Sequence, residues 1–223
     1  MHVGLCVLYR RRRDERILTA NQSQRNRLTE VMQGIHQRGW CEGTGGNFSM
    51  VLQHHPLQLL MAPSGVDKGQ VPGDQLIVVD EAGNIVSGEG KASAETALHL
   101  RIVEANNAGA VLHTHSVPGT VLSLHFERKG VIVLAGWEML KGLDGINTHA
   151  TSINIPVISN SQSMQELGDA IAPCLASAPC GFLVAGHGLY AWGKDLEASK
   201  RHLEILEFLL NVKLTQMQIG DQA

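Results

Sequence analysis

The chain alternates between two hydrophobic periodicities. Apolar residues recur every three or four positions in five segments, which predicts helices over residues 22–37, 93–106, 117–125, 162–175 and 195–218. Short apolar runs bounded by turn residues predict strands over residues 48–52, 57–61, 76–80, 110–115, 131–134 and 155–158, and a glycine-interrupted hairpin over 181–192. Because helices and strands interleave, we expect an α/β domain in which helices cover a central sheet.

The 223 residues are enough for one domain with a sizeable core. No repeat or long linker divides the chain, so we expect residues 21–223 to form a single domain. Residues 1–20 carry a basic cluster followed at once by two acidic residues, which is typical of a solvated, flexible N-terminal extension. We expect neither a signal peptide nor a membrane-spanning segment.

Charge and cysteine content narrow the possible partners and compartments. The formal net charge of −3 gives no reason to expect nucleic acid or an anionic membrane as a partner. The four cysteines are scattered without a CxxC pair, which argues against a thiolate zinc site and against a secreted disulfide framework. We therefore expect a cytoplasmic protein.

Two histidines lie two positions apart in a predicted buried strand. Alternate residues of a strand face the same side, so His113 and His115 share a face at about 6.6 Å between their Cα atoms, while Thr114 faces the other side. The nitrogen ligands of a tetrahedral zinc ion lie roughly 3.4 Å apart, a gap that two converging imidazoles can close. Packing in the core is the alternative interpretation of this pair.

A third histidine strengthens the interpretation as a metal site. His187 lies between Gly186 and Gly188, which leave space around its imidazole, although a simple turn histidine would also fit. Three neutral imidazoles leave a coordination position open for water or substrate, as in catalytic zinc sites. Ser93 is predicted to be the N-cap of the second helix, and Glu95 in its first turn is either a fourth ligand or an acid–base group. A first-turn Glu favoured by the helix dipole is the alternative.

Several loops are rich in small and hydroxyl residues that suit an anion. Residues 44–47 and 64–69 expose backbone N–H groups, and Ser93 opens a helix whose N-terminus attracts phosphate. Lys68, Lys91 and Lys141 are candidates to supply positive charge. Such loops are also common turn chemistry, so each is a weak indication alone.

Together these residues resemble the class II aldolase and adducin superfamily over about residues 27–210. The motifs that carry the resemblance are Gly45-Gly46-Asn47, Ser64-Gly65, Ser93-Ala94-Glu95, His113-x-His115 and Gly186-His187-Gly188. Within the superfamily, residues 64–69, 112–116, 137–142, 186–193 and 201–210 resemble the dehydratases of methionine salvage. Gly45 and Ala94 depart from the pattern, since many relatives carry Ser at the first position and aldolases carry Ser at the second.

The resemblance implies a three-layer αβα catalytic domain with a central, largely antiparallel or mixed sheet, assembled as a homotetramer with active sites near subunit boundaries. It implies one zinc ion per subunit on His113, His115 and His187. It implies a phosphate site formed by Asn47, Ser64, Gly65 and Ser93. The Glu of the Glu-Met-x-Lys-Gly segment, here Glu138, is implied as the acid–base group.

The activity implied is zinc-dependent dehydration of 5-methylthioribulose 1-phosphate, a small ketose phosphate, to 2,3-diketo-5-methylthiopentyl 1-phosphate. A class II sugar-phosphate aldolase or a 4-epimerase is the main alternative, because the metal site alone does not separate these reactions. A non-catalytic, adducin-like scaffold is the other, but it need not keep three histidines and two carboxylates.

Overall fold

The centre of the fold is a sheet of nine strands in a computed structural model that describes residues 22–220. The strands are β1 (Asn47–His54), β2 (Leu57–Met61), β3 (Ile77–Val79), β4 (Ile85–Ser87), β5 (Ala110–Thr114), β6 (Val131–Ala135), β7 (Ser152–Ile158), β8 (Gly181–Val184) and β9 (Gly188–Gly193). Their order across the sheet is β4-β3-β2-β1-β5-β9-β8-β7-β6. Among the described strand pairs only β7 and β8 run parallel, which confirms the expected mixed, largely antiparallel sheet.

Helices cover both faces of this sheet. Within the described residues they are α1 (22–37), α2 (Thr96–Asn106), α3 (Val117–Phe126), α4 (Met164–Leu175) and α5 (Leu196–Ile219). Helices α1, α3 and α5 share one apolar core with the sheet, through Leu28, Leu122 and Leu206. Helices α2 and α4 share a second core with the opposite face, through Leu98 and Ile171. The predicted three-layer αβα arrangement is therefore confirmed.

Strand β5 lies in the middle of the sheet and is buried along its whole length. Val111 belongs to the core under α2 and α4, whereas Leu112 belongs to the core under α1, α3 and α5. Because successive side chains of a strand face opposite sides, His113 faces the α2 and α4 layer and Thr114 faces α5. The predicted alternation across this strand is confirmed.

Two elements differ from the sequence-based expectations. Strand β4, three residues long, was not predicted because so short a run has no readable periodicity. The prediction that Ser93 is the N-cap of α2 is wrong, since the helix begins at Thr96. The Ser93 hydroxyl accepts a hydrogen bond from the Glu95 backbone N–H at 3.2 Å. It therefore closes a short turn before the helix, a competing use of serine side chains.

The predicted flexible extension over residues 1–20 lies outside the described residues, and the division into that extension and one catalytic domain stays a prediction. No helix among residues 22–220 combines the length and the apolar character needed to cross a membrane.

Candidate metal centre and substrate cavity

The three predicted histidine ligands converge at the end of β5. The Nε2 atom of His113 lies 3.3 Å from Nε2 of His187 and 2.8 Å from Nε2 of His115. One ligand atom from each residue lies within 4.8 Å of the others, an arrangement that could hold a metal ion. Nitrogen ligands of a tetrahedral zinc ion are expected at roughly 3.4 Å from one another. The three imidazoles therefore fit such an ion with only a small outward adjustment of His115.

Two glycines bring His187 to this point, each for a different reason. Gly186 has φ +64, in the left-handed region that glycine adopts without strain. A Cβ on Gly188 would lie 1.9 Å from the Thr114 carbonyl oxygen, so β9 passes β5 too closely for any side chain. The sequence suggested that both glycines clear space around the imidazole. In the structure, Gly186 instead allows the chain to reverse, and Gly188 allows β9 to approach β5 closely.

Two contacts with β9 fix the orientation of the His113 ring. Its Nδ1 atom lies 3.0 Å from the Leu189 carbonyl oxygen, which is the acceptor for an Nδ1–H and leaves the Nε2 lone pair for an ion. Its ring stacks on Tyr190 at 3.9 Å between centroids and an interplanar angle of 11°. In the sheet, Asn47 and Tyr190 pair with His113 from the two neighbouring strands, so the three side chains form one row across β1, β5 and β9.

Glu95 lies beside two of the histidines. Its Oε1 atom is 3.1 Å from Nε2 of His187, its Oε2 atom is 3.7 Å from Nε2 of His113, and Asn47 donates a hydrogen bond to Oε2. Burial by itself would raise the pKa of Glu95, but the hydrogen bond from His187, with the electrostatic influence of the neighbouring imidazoles, holds that pKa well below its ordinary value. Glu95 is therefore a carboxylate at ligand distance. Its role as fourth ligand or acid–base group stays a prediction.

Burial favours the neutral form of two of the three histidines. Burial lowers the pKa of His113 well below its ordinary value, and burial also lowers the pKa of His115. Neutral imidazole is the form that binds a metal ion, so the site needs little proton release to accept one.

An open cavity of about 530 Å³ adjoins the three histidines. Its lining contains His115, His187, Glu95 and the predicted phosphate residues Asn47, Ser64, Gly65, Lys68 and Ser93. The structure thus brings together residues that the sequence separates by up to 140 positions, as between Asn47 and His187. A larger cavity of about 690 Å³ lies against α5, but its lining contains none of these residues. The residues that line the smaller cavity therefore favour it as the candidate substrate site.

Lys68 ties two of the lining loops together. Its side chain is 1% exposed, and Nζ donates to the carbonyl oxygens of Thr44 and Val66, both at 3.0 Å. Burial lowers its pKa, opposed by nearby acidic groups. An ammonium group has three donors, so two hold the loops and one is left for a bound anion. Its direct contact with phosphate stays a prediction.

Sequence reasoning missed one side of the cavity. Asn160, Ser161 and Gln162 line it from the turn before α4, and Met164 lines it from the first position of that helix. The Ser163 side chain caps that helix by accepting from the Glu166 N–H, so α4 begins at Met164 and not at residue 162 as predicted. No local pattern marked these lining residues as part of a site.

Three predicted residues do not line the cavity within the single chain, namely Lys91, Glu138 and Lys141. Glu138 and Lys141 lie in a 3-10 turn, Glu138–Gly142, and neither lines the cavity. The Glu138 side chain is 69% exposed, and it accepts a hydrogen bond from Lys141 Nζ at 2.5 Å and lies 3.4 Å from His149 Nδ1. The hydrogen bond from Lys141 lowers the pKa of Glu138. The catalytic role of Glu138 and the substrate contact of Lys141 stay predictions.

Comparison with known proteins places these features in a family. The sequence model for the class II aldolase and adducin N-terminal domain matches residues 26–214. A methylthioribulose-1-phosphate dehydratase of Serratia proteamaculans is 42% identical over 200 residues, which is 88% of this chain and 96% of that protein. The enzyme of the same name from Pectobacterium atrosepticum is 42% identical over 209 residues, which is 92% of this chain and 100% of that protein.

The solved structures give the same architecture. The crystal structure of YgbL from Escherichia coli superposes with a TM-score of 0.75 at 25% sequence identity. The superposition covers 92% of this chain and 93% of the YgbL chain. The three-layer fold described above is therefore shared over nearly the whole length of both proteins.

Proposed function

Because the chain belongs to the class II aldolase and adducin N-terminal domain family, we propose that it is a zinc-dependent hydro-lyase that dehydrates 5-methylthioribulose 1-phosphate to 2,3-diketo-5-methylthiopentyl 1-phosphate, a step of methionine salvage. The observation that carries this choice of reaction is the likeness of nearly the whole chain to dehydratases of that name, at 42% identity. The site supports it, because the metal-competent histidines, a carboxylate and anion-binding loops surround one cavity.

The residues that would hold the zinc ion are His113, His115 and His187, one ion per subunit. Three nitrogen donors at close to zinc spacing, two of them with lowered pKa values, suit this ion. A bound zinc ion supplies a Lewis acid for the C2 carbonyl and the C3 hydroxyl of the ketose. Glu95, held by Asn47, either completes the donor set or moves a proton at this position.

The loops on the other side of the cavity suit the substrate phosphate. Backbone N–H groups of residues 44–47 and 64–65 and the hydroxyls of Ser64 and Ser93 offer donors, and Lys68 supplies positive charge. With Gly45 and Ala94 in place of hydroxyl residues, the phosphate depends more on backbone donors and on Lys68 than in relatives that carry Ser there.

Glu138 provides the proton transfer that distinguishes dehydration from retro-aldol cleavage. Its carboxylate takes the proton from C3 and returns it to the departing C4 hydroxyl. Water leaves, and the remaining enol tautomerises to the 2,3-diketone. Because Glu138 does not line the cavity of its own chain, we propose that it acts on a neighbouring subunit's cavity in a homotetramer, accompanied by Lys141.

The first test is the reaction itself. Purified enzyme is incubated with 5-methylthioribulose 1-phosphate, and the diketone is followed by absorbance and mass spectrometry. Replacing Glu138 with Gln should abolish diketone formation while leaving the zinc content unchanged. Carbon–carbon cleavage products in place of the diketone would favour the aldolase, and turnover by Glu138→Gln would remove Glu138 from the mechanism.

A mixing experiment tests whether Glu138 acts between subunits. The variants Glu138→Gln and His113→Ala should each be inactive, because one lacks the proton-transfer group and the other lacks a ligand. After unfolding and refolding together in equal amounts, random assembly should restore about a quarter of the parent activity, since half of the sites keep their metal and half of their neighbours keep Glu138. No recovery in correctly assembled mixed oligomers would contradict the proposal.

A further inference from the structure

Glu207 is a buried acidic residue that the proposed mechanism does not use. It lies on α5, on the face of the sheet opposite the metal centre, and it is 2% exposed. Burial raises the pKa of its carboxyl group, and the hydroxyls of Ser116 and Thr114 act against that increase. A carboxyl group at such a position costs folding free energy unless hydrogen bonds compensate for it.

The contact that Glu207 makes is with the residue between two metal ligands. The Thr114 hydroxyl donates a hydrogen bond to Oε1 of Glu207, while Oε2 has no partner among the described residues. Thr114 is the last residue of β5, and His115 follows where the chain leaves the sheet. Beyond the strand, the His115 backbone N–H donates to the Trp40 carbonyl oxygen at 2.7 Å. The end of the metal strand is thus held from the side that faces away from the ion.

Packing alone does not explain an acidic residue here. An apolar side chain of similar size would fill the same space without leaving one buried carboxyl oxygen unpaired. An apolar residue at position 207 would, however, lack the directional hydrogen bond from the Thr114 hydroxyl. That bond fixes the side-chain rotamer and the backbone of the one residue that separates His113 from His115.

We propose that Glu207 is a positioning residue of the metal centre, which acts through Thr114 to set the spacing of His113 and His115. This inference rests on the proposed function, because it requires that the three histidines hold a zinc ion. It concerns the affinity of the site for the ion and not a step of the reaction.

Four variants distinguish a role of Glu207 in positioning the metal ligands from a role in fold stability only. Thr114→Val removes the hydroxyl at nearly constant volume, and Thr114→Ser keeps it as the matched control. Glu207→Met removes the acceptor, and the double variant Thr114→Val with Glu207→Met replaces both partners by apolar groups. For each, the zinc dissociation constant is measured by competition with a chromophoric chelator, and the melting temperature is measured on the zinc-free protein.

We expect Thr114→Val to weaken zinc binding by about tenfold and Thr114→Ser to stay within about twofold of the parent chain. The single change Thr114→Val should lower the melting temperature, because it removes the donor to Oε1 of the buried Glu207 carboxyl. The double variant should recover that stability, since replacing both partners of a buried hydrogen bond is nearly neutral. Its zinc affinity should remain about tenfold weaker than that of the parent chain.

Two results would overturn this inference while leaving the proposed metal centre in place. One is a Thr114→Val variant that binds zinc as tightly as the parent chain. The other is a double variant whose zinc affinity recovers together with its stability, which would make the pair structural only. A parent chain that binds no zinc would instead overturn the metal centre, and this inference with it.

Discussion

Replacing Gly188 with Ala tests how closely the hairpin that carries His187 must pass the metal strand. A Cβ at this position would lie 1.9 Å from the Thr114 carbonyl oxygen and 2.9 Å from the Thr114 carbonyl carbon. Real Cβ atoms essentially never approach another heavy atom within 3.0 Å, and here the obstacle is backbone. The two strands must therefore separate by about 1 Å at this point to admit the methyl group.

A movement of that size is large for a metal site. Residue 188 adjoins His187, and Thr114 lies between His113 and His115, so the separation pulls the third ligand away from the other two. Ligand distances in a working site hold within about 0.2 Å of their ordinary values. We therefore expect zinc affinity to fall by about 100-fold or more. The crowding should also lower the free energy of unfolding by about 1–3 kcal/mol.

The assay is zinc titration against a competing chelator, with circular dichroism to verify the fold. Gly34→Ala is the matched control, because Gly34 lies in α1 and a Cβ there has no heavy atom within 4 Å. That change should leave zinc binding unchanged and stabilise the helix by about 0.5–1 kcal/mol. A folded Gly188→Ala protein that binds zinc with the parent affinity would refute the reasoning.

Three further outcomes are expected. Stripping the metal with a chelator should abolish turnover and added zinc should restore it, whereas full activity of a verified metal-free protein would contradict the zinc site. His99 in α2 is fully buried, and burial lowers its pKa from 6.5 to about 4. The unfolded chain therefore binds protons more readily than the folded chain, and the zinc-free fold loses stability as pH falls from 6.5 towards 4. His99→Gln should reduce that loss by roughly 3 kcal/mol in urea titrations, and an unchanged pH profile would contradict the assignment. Lys68→Met should raise the KM for the sugar phosphate at least about tenfold and cost about 2 kcal/mol of stability, because the carbonyls of Thr44 and Val66 lose their donor. An unchanged KM would limit Lys68 to a role in loop structure.

The three candidate histidine ligands could be identified from the sequence because their signal is local. His113 and His115 share a face of β5 through the two-residue period of a strand, which any strand imposes. His187 was marked by its flanking glycines, although the reason for Gly188 is a close approach to another strand. That approach depends on the pairing of β5 with β9 and cannot be read from the residues around position 188.

The rest of the site depends on which distant segments meet. Residues 160–162 line the cavity only because α4 packs against α2 and places the preceding turn over the histidines. The sequence around Ser93 suggested a helix cap, but the serine hydroxyl closes a shorter turn that precedes α2. Glu138 is exposed in the single chain, and its proposed role depends on a contact between subunits that the pattern of one sequence does not reveal.

The row of Asn47, His113 and Tyr190 across three strands has a consequence for the order of events during folding. The two candidate ligands His113 and His187 are 74 residues apart along the chain, and Asn47 and Glu95 are 48 apart. Contacts of such long range form late, because the entropy of closing large loops is lost before they stabilise anything. The pair of His113 and His115 is local, but the complete set of three histidines forms only once β5 and β9 have paired, so metal binding would report that this pairing is in place.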